Sequence, residues 1–321
     1  MANGTIRKIL SAERHGALIA LALLVLISAL LSPHFLQPQN LLNILRQVSY
    51  TGLIALGMTF VIIAGGIDLS VGSLAAFSGA LGVLAMNALG AAGHGDGIGV
   101  LAAVGTALAV GTLGGLANGL IITKGRIAPF IVTLGTMALF RSLTLYMGDA
   151  GEFTSSNPLY AQIGSASFAF VPVPVWILAL LAALFGVVLW RTRFGRYVRA
   201  VGSNQRVALY AAIDVDRVRL LTYVITGLVV GVSAVLISMR FNAVGSSTLG
   251  INYELDAIAA VIIGGTAMAG GSGTIWGTVV GAIILGVINN MLNLVGVSPY
   301  LQGTVKGLVI ILAVLIQRRR A

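Results

Sequence analysis

The sequence predicts an all-α integral membrane protein that crosses the bilayer about ten times, with both termini in the cytoplasm. Three observations lead to this fold class. Of the 321 residues, 58% are hydrophobic and only 9% are charged, the mean hydropathy is +1.01, and most charges lie between long apolar runs. Soluble domains are nearer half apolar and a quarter charged, so the composition excludes an ordinary soluble globule. It is also too apolar for a disordered chain.

The apolar runs define the predicted spans, because a membrane-crossing helix needs roughly 20 mostly apolar residues. The first run follows Arg7, Lys8 and Arg14, and no small-residue cleavage site follows Leu31. We therefore expect it to be retained as a span rather than removed as a signal peptide. The predicted spans are 16–32, 42–64, 68–89, 98–123, 129–147, 174–190, 218–240, 255–269, 274–295 and 302–317.

The basic residues set the predicted orientation, because cytoplasmic loops of membrane proteins are enriched in Lys and Arg. With the N-terminus inside, most of the 19 Lys and Arg fall in inner segments, and both basic termini lie inside. The net charge of +10 then points to the anionic inner membrane surface and its lipids, and not to nucleic acid. The predicted outer loops, none of which contains Lys or Arg, are 33–41, 90–97, 148–173, 241–254 and 296–301.

A glycine pair, Gly65 and Gly66, interrupts the chain between the second and third spans, and Asp68 and Ser70 follow it. Asp68 is positioned to cap the next helix, which is a purely structural interpretation. Broken helices with an exposed N-terminus and a carboxylate also line polar paths in membrane proteins, which is the functional alternative. The predicted topology places this turn near the inner side. The residues at 61–66 also resemble those at 261–265, either by chance or because the chain has duplicated halves.

The longest predicted inner segment, 191–219, is rich in arginine. Ser203 or Asn204 is expected to cap a short amphipathic helix that places apolar side chains on one face. Two interpretations remain open: the helix lies on the inner leaflet with its arginines reaching the headgroups, or it docks in a groove on a cytoplasmic protein. The residues assigned to this helix are Gly202, Ser203, Asn204, Arg206, Val207, Tyr210, Ala211 and Asp214.

Four basic side chains lie within predicted spans: Arg46, Arg141, Arg240 and Lys306. A lone charge in lipid costs roughly 3 kcal/mol or more, so these groups should pair or face water. We expect Arg240 to pair with Glu254 or Asp256, which begin a predicted span from the outer side. Arg141 lies deeper, and we favour a role in a cavity over a structural ion pair.

A polar stripe on one helix face of the 274–295 span includes Asn289 and Asn293, and Asn118 ends a glycine-rich face of an earlier span. Such amides hydrogen-bond either a hydroxylated solute or another helix. The residues assigned to a translocation pathway are Asp68, Ser70, Asn118, Arg141, Glu254, Asp256, Asn289 and Asn293.

No catalytic, metal-binding or nucleotide-binding motif is visible in the sequence. There is no cysteine, and there are only three histidines, which are scattered. The Gly-x-x-x-x-Gly-Lys-Ser/Thr phosphate loop, the Gly-x-Ser-x-Gly elbow and the His-Glu-x-x-His motif are absent. We therefore expect no catalytic residue, no metal and no cofactor bound by this chain.

Three separated motifs, in this order, resemble the ribose/simple-sugar class of ATP-binding-cassette (ABC) importer permeases. The motifs are GIDLSVGS at 66–73; GRY at 195–197 with AVGSN at 200–204 and AAI at 211–213; and YELDAIAA at 253–260 with GGT at 264–266 and GG at 270–271. The resemblance runs from about residue 16 to 317, nearly the whole chain.

The resemblance implies a single permease domain over 1–321 in the inner (plasma) membrane, paired as a homodimer and importing a monosaccharide. It implies a periplasmic sugar-binding protein and a cytoplasmic ATPase subunit with two nucleotide-binding domains, which would hold the ATP and Mg²⁺. The helix within 202–214 then resembles the coupling helix, and docking is favoured over lipid contact alone. The alternative is a stand-alone secondary carrier or channel for a small polar solute, suggested by the 61–66 echo and the charges at Asp68, Arg141 and Glu254.

Overall fold

The computed structural model describes residues 2–318, and describes the side chains of 16–298, 301–309 and 311. The described part of the chain is mostly helical, which confirms the all-α prediction. Its helices are α1 Ala2–Leu31, α2 Pro38–Ile63, α3 Val71–Ala91, α4 Asp96–Lys124, α5 Pro129–Met147, α6 Pro158–Ser165, α7 Val173–Arg191, α8 Arg193–Ser203, α9 Gln205–Tyr210, α10 Val215–Phe241, α11 Tyr253–Ile263, α12 Ile275–Leu294 and α13 Pro299–Arg318.

Four short strands form two small antiparallel pairs. Strands β1 (Glu152–Thr154) and β4 (Ala243–Gly245) join the loop after α5 to the loop after α10. Strands β2 (Ser167–Phe168) and β3 (Val171–Pro172) form a tight hairpin before α7. Both strand pairs lie in loops at the ends of helices, and neither interrupts a helix.

Seven helices in the described part of the chain are long and apolar enough to cross a membrane: α2, α3, α4, α5, α7, α10 and α12. They match seven of the ten predicted spans. The spans predicted at 16–32, 255–269 and 302–317 do not reach this length and apolarity within the described residues. The basic residues at the two termini, on which the predicted orientation depends, lie outside the described side chains.

The prediction at 255–269 is wrong in its extent, because α11 ends at Ile263 and is only 11 residues long. Gly264 and Gly265 stop it, and Gly265 has φ +89°. A helix of this length rises about 16 Å, roughly half of the hydrocarbon core. An apolar run in the sequence therefore contains a helix that crosses only part of a bilayer.

The two segments that resemble each other in sequence end their helices in the same way. After α2, the Gly65 amide donates to the Ile62 carbonyl (2.9 Å) and the Gly66 amide to that of Val61 (2.9 Å). After α11, the Gly265 amide donates to the Ile262 carbonyl (2.9 Å) and the amide after it to that of Val261 (3.1 Å). Both are Schellman caps with glycine in the left-handed conformation. The sequence echo is thus also an echo in backbone structure.

The core is built around α10, which packs against α2, α3 and α4. The glycine face of α4 explains this packing, since Gly111 and Gly115 lie directly against the backbone of Gly227 in α10. Gly281 of α12 similarly lies against the carbonyl of Ala260 in α11. In lipid, helices associate by close packing rather than by the hydrophobic effect, so small residues mark these contacts.

Candidate functional site

The irregular segment between β4 and α11, residues 246–252, meets the break between α2 and α3. A Cβ on Gly72 would collide with the carbonyl oxygen of Gly250 and lie 2.7 Å from the Glu254 carboxylate. The N-terminal ends of α3 and α11 are therefore neighbours. The predicted topology put these two places on opposite sides of the membrane, and this expectation is wrong. Both helices begin in irregular backbone that packs together inside the fold, a contact that glycine alone permits at position 72.

Arg141 holds this irregular segment in place. Its guanidinium donates from Nη1 to the Ser246 carbonyl (2.8 Å) and from Nη2 to the Leu249 carbonyl (2.9 Å). Carbonyls that lack a helical partner are thereby satisfied, which irregular backbone needs at membrane depth. Arg141 was assigned to a cavity, and in the structure it braces the segment that leads into α11.

Asp68, Ser70 and Asn118 form a buried hydrogen-bonded chain beside the same break. The Asp68 Oδ1 accepts from the Ser70 amide (2.9 Å) and hydroxyl (2.7 Å), and the Asn118 Nδ2 donates to the Ser70 Oγ (2.8 Å). Asp68 is only 1% exposed, so its carboxyl group depends on these bonds from Ser70. The Tyr223 hydroxyl donates to the Ile67 carbonyl (3.0 Å) and ties this turn to α10. These three residues, all assigned to the translocation pathway from the sequence, are therefore hydrogen-bonded to one another.

A polar cavity of about 150 Å³ lies between α2, α11, α12 and α13. Asp256 and Lys306 form an ion pair on its wall, with the Lys306 Nζ 3.0 Å from both carboxylate oxygens. The predicted pairing of Arg240 with Glu254 or Asp256 is therefore wrong for Asp256, and Arg240 is exposed.

The Tyr50 hydroxyl and the Asn289 Oδ1 are buried and have no hydrogen-bond partner among the described residues. A polar ligand in the cavity could hydrogen-bond both atoms, and such bonds would be favourable because a buried unpaired polar atom is costly. The polar side chains that line the cavity are Gln47, Tyr50, Thr51, Tyr253, Asp256, Asn289 and Lys306.

The predicted polar stripe on α12 serves several neighbours rather than one path. The Thr278 hydroxyl is hydrogen-bonded to that of Thr59 in α2 (2.7 Å), and the Asn293 Oδ1 accepts from the Gln302 Nε2 in α13 (2.8 Å). Asn289 faces the polar cavity, which Ala282 and Gly286 of the same helix face also line. Two polar side chains of the stripe thus bond neighbouring helices, and a third faces the cavity.

The arginine-rich segment folds into two short helices, α8 and α9. The Asn204 Oδ1 caps α9 by accepting from the amides of Arg206 (3.0 Å) and Val207 (3.1 Å), which confirms the predicted cap. Asp214 in turn caps α10 through the Arg217 amide (2.9 Å). Side-chain caps thus fix the first turn of α9 and the first turn of α10.

The outward face of α9 is apolar and solvent-exposed. Val207 is 60% exposed and Tyr210 is 90% exposed, whereas Ala208 on the opposite face is buried. Ala211, the residue after α9, is also exposed. An exposed apolar patch set among arginines is typical of an interaction surface. We call this surface, formed by residues 205–212, the α9 face.

Behind the α9 face, Gly202 touches both helix breaks at once. A Cβ at Gly202 would collide with the carbonyl oxygen of Ile63 and the amide of Gly271. Those two groups are themselves joined, because the Gly271 amide donates to the Ile63 carbonyl (2.8 Å). We call this meeting point of Ile63, Gly202 and Gly271 the glycine junction. It connects the α9 face to the end of α2 and to the loop that follows α11.

Sequence reasoning missed part of the polar cavity. Lys306 was noted only as a charge within a span, and Gln47, Tyr50 and Thr51 were not singled out. The available sign was the lone lysine in an apolar helix, which needs a partner. Among the described residues, no three His, Cys, Asp or Glu side chains come together as metal ligands.

The fold and the site define a class of protein: a multi-pass helical membrane protein with broken helices, a polar internal cavity and an exposed apolar helix face. The chain belongs to the family described as "Branched-chain amino acid transport system / permease component", whose model matches residues 40–314. It is therefore a multi-pass inner-membrane transport component and not an enzyme.

Curated relatives match over almost their whole length. The chain is 43% identical to the ribose import permease protein RbsC of Bacillus subtilis over 311 residues, covering 96% of this chain and 94% of the relative. It is 41% identical to RbsC of Escherichia coli K12 over 308 residues, covering 95% and 93%. It is 37% identical to the D-allose transport system permease protein AlsC of the same strain over 307 residues, covering 95% and 92%. The resemblance to sugar importer permeases is thus confirmed.

Proposed function

We propose that this chain is the membrane-spanning permease of an ABC importer for a monosaccharide, a ribose-like or related simple sugar. The support for the cargo class is the agreement of curated relatives whose names carry ribose or allose. The permease supplies the path, and energy comes from a separate ATPase subunit that holds ATP and Mg²⁺. The chain itself binds no cofactor.

The observation that carries the coupling proposal is the exposed α9 face, set on the glycine junction. Val207, Leu209 and Tyr210 are more than half exposed on a helix with capped ends. Such a rigid apolar helix fits a groove on a cytoplasmic ATPase with two nucleotide-binding domains. Movement of the ATPase would press on Gly202 and so on the end of α2 and the loop that follows α11. The coupling residues remain those predicted, Gly202 to Asp214, with Gly202 transmitting motion rather than touching the partner.

For the membrane arrangement, we propose ten crossings with both termini in the cytoplasm. The seven long helices are joined by α1 and α13, and the eighth crossing is made by the irregular segment 246–252 together with the short α11. The basic termini and the loops without Lys or Arg support this orientation. The permease works as a homodimer beside a periplasmic sugar-binding protein, in a single domain per chain.

For the pathway, we propose that the polar cavity near Asp256 and Asn289 exposes hydrogen-bonding groups to the sugar during transport. Weak binding is sufficient, because tight binding would trap the cargo. Asp68, Ser70, Asn118, Arg141 and Glu254 shape the broken helices around that path, and Asn293 joins α12 to α13.

The coupling proposal is tested by co-purification of the ATPase subunit with variants of the full chain. Tyr210→Asp and Arg206→Glu should reduce recovery of the ATPase at least tenfold and abolish sugar-stimulated ATP hydrolysis. The matched control is Tyr146→Asp, an 86% exposed tyrosine at the far end of α5, which should leave ATPase recovery unchanged. Full recovery with Tyr210→Asp would refute the docking role.

The cargo proposal is tested with the complete transporter and its cognate binding protein in proteoliposomes. Uptake of ribose, allose and galactose is compared with uptake of leucine. Leucine is included because the family is described by branched-chain amino acid transport. ATP-dependent uptake of one of the sugars and not of leucine supports the proposal. Uptake of leucine and of none of the sugars overturns it. Uptake by the purified chain without an ATPase would favour the secondary-carrier alternative.

A further inference from the structure

An apolar groove of about 570 Å³ opens between α2, α7 and α12. Its walls are almost entirely aliphatic, from Leu45 and Val48 of α2 to Val279 and Ile283 of α12. Along α7 it runs from Val175 to Arg191, a length of roughly 24 Å at 1.5 Å per residue. One leaflet of the hydrocarbon core is roughly 15 Å thick, so the groove is long enough for an acyl chain.

One end of the groove is aromatic and basic. Trp190, Arg191 and Trp276 line it, and the two tryptophans are 49% and 56% exposed. The Arg199 guanidinium carbon lies 4.5 Å from the centroid of the Trp190 ring. Tryptophan and arginine at the end of an apolar helix are typical of the headgroup level of a bilayer. In the described part of the chain, Arg191 and Arg199 form no ion pair.

We propose that this groove binds an anionic phospholipid, with an acyl chain along α7 and the headgroup phosphate at Arg191 and Arg199. The argument is charge complementarity at one end combined with an apolar channel at the other. A second copy of the chain or another apolar helix would fill the channel but leave two arginines without a counter-charge. A free phosphate would satisfy the arginines but leave the channel empty. The inference does not depend on which solute is transported.

The experiment uses the purified full chain in nanodiscs and the fluorescence of its own tryptophans. The chain has three tryptophans, and Trp176→Phe leaves only Trp190 and Trp276, both at the basic end of the groove. The probes are phosphatidylglycerol and phosphatidylcholine with brominated acyl chains, which quench tryptophan on contact. At equal mole fraction, phosphatidylglycerol should quench more, with a preference on the order of fivefold per arginine at low salt.

Two variants locate the effect. Arg191→Gln combined with Arg199→Gln should make the two lipids quench equally. Gly186→Leu should reduce quenching by both lipids, because Gly186 lines the groove and a Cβ there meets nothing within 4 Å. The matched control is Gly105→Leu on an exposed part of α4, where a Cβ also meets nothing within 4 Å, and quenching should not change.

Three results would overturn the proposal. Equal quenching of the parent protein by both lipids would remove the anionic preference. A preference that survives replacement of both arginines would place the headgroup elsewhere. Quenching by neither lipid would mean that protein, such as a second copy of the chain, covers the groove.

Discussion

Replacement of Gly202 by alanine tests the glycine junction directly. Gly202 lies in the last turn of α8, in a backbone conformation that alanine adopts readily. Alanine in an open helical position normally stabilises a helix by roughly 0.5–1 kcal/mol relative to glycine. At Gly202 alanine should instead destabilise the protein, because the added Cβ would collide with backbone atoms of Ile63 and Gly271.

The expected magnitude follows from these contacts. Backbone atoms cannot swing away as a flexible side chain can, so relief requires displacement of α8 from the end of α2. Overpacking of this kind costs about 1–3 kcal/mol. The displacement also strains the bond from the Gly271 amide to the Ile63 carbonyl, now 2.8 Å, which contributes about 1 kcal/mol.

The assay is thermal unfolding of the purified chain in one detergent, with Gly105→Ala as the matched control in the open middle of α4. Gly202→Ala should unfold at a lower temperature than the parent, and Gly105→Ala at the same or a higher temperature. In the complete transporter, Gly202→Ala should keep the ATPase bound but weaken the stimulation of ATP hydrolysis by sugar. An unfolding temperature at or above that of the parent would refute the close contact of the three segments.

Two further predictions concern polar contacts between helices. Lys306→Met removes one member of the Asp256–Lys306 pair and should lower the free energy of unfolding by about 3 kcal/mol. This is the lower end of the range for buried ion pairs, because both side chains are partly exposed. The double variant with Asp256→Asn should recover most of the loss in the same unfolding assay, and no recovery would mean that the pair is not formed. Asn40 and Asn290 exchange hydrogen bonds of 3.0 and 2.7 Å between α2 and α12, and a double-mutant cycle to alanine should give a coupling of about 0.6–1.7 kcal/mol. Additive single effects would show that the two amides do not bond.

Local features of the fold were predictable because they depend on residues close together in the chain. The apolar runs placed seven membrane helices near their observed positions. Asn204 was predicted as one of two candidate caps of α9, since a cap needs only the amides of the next few residues. The extent of α11 was not recognised, because the hydropathy of 255–269 averages over the glycines that end the helix at Ile263.

The partners of the polar residues were harder to predict. Arg240 was expected beside Glu254 or Asp256, and Asp256 is instead paired with Lys306, 50 residues away in sequence. Arg141 was expected in a cavity and bonds the carbonyls of Ser246 and Leu249. Charge and burial show that such a group needs a partner, but many groups in a membrane protein can satisfy that need.

The sequence alone therefore determined that the chain is a helical membrane protein, where most of its helices run, and to which transporter class its motifs belong. Only the tertiary structure decided that the end of α2 and the loop after α11 meet Gly202. It also decided that an ion pair and two polar atoms, unbonded among the described residues, surround one cavity. The physical reason is range. Hydropathy and capping act over one helix or one turn, whereas close backbone contacts and ion pairs depend on how distant helices pack.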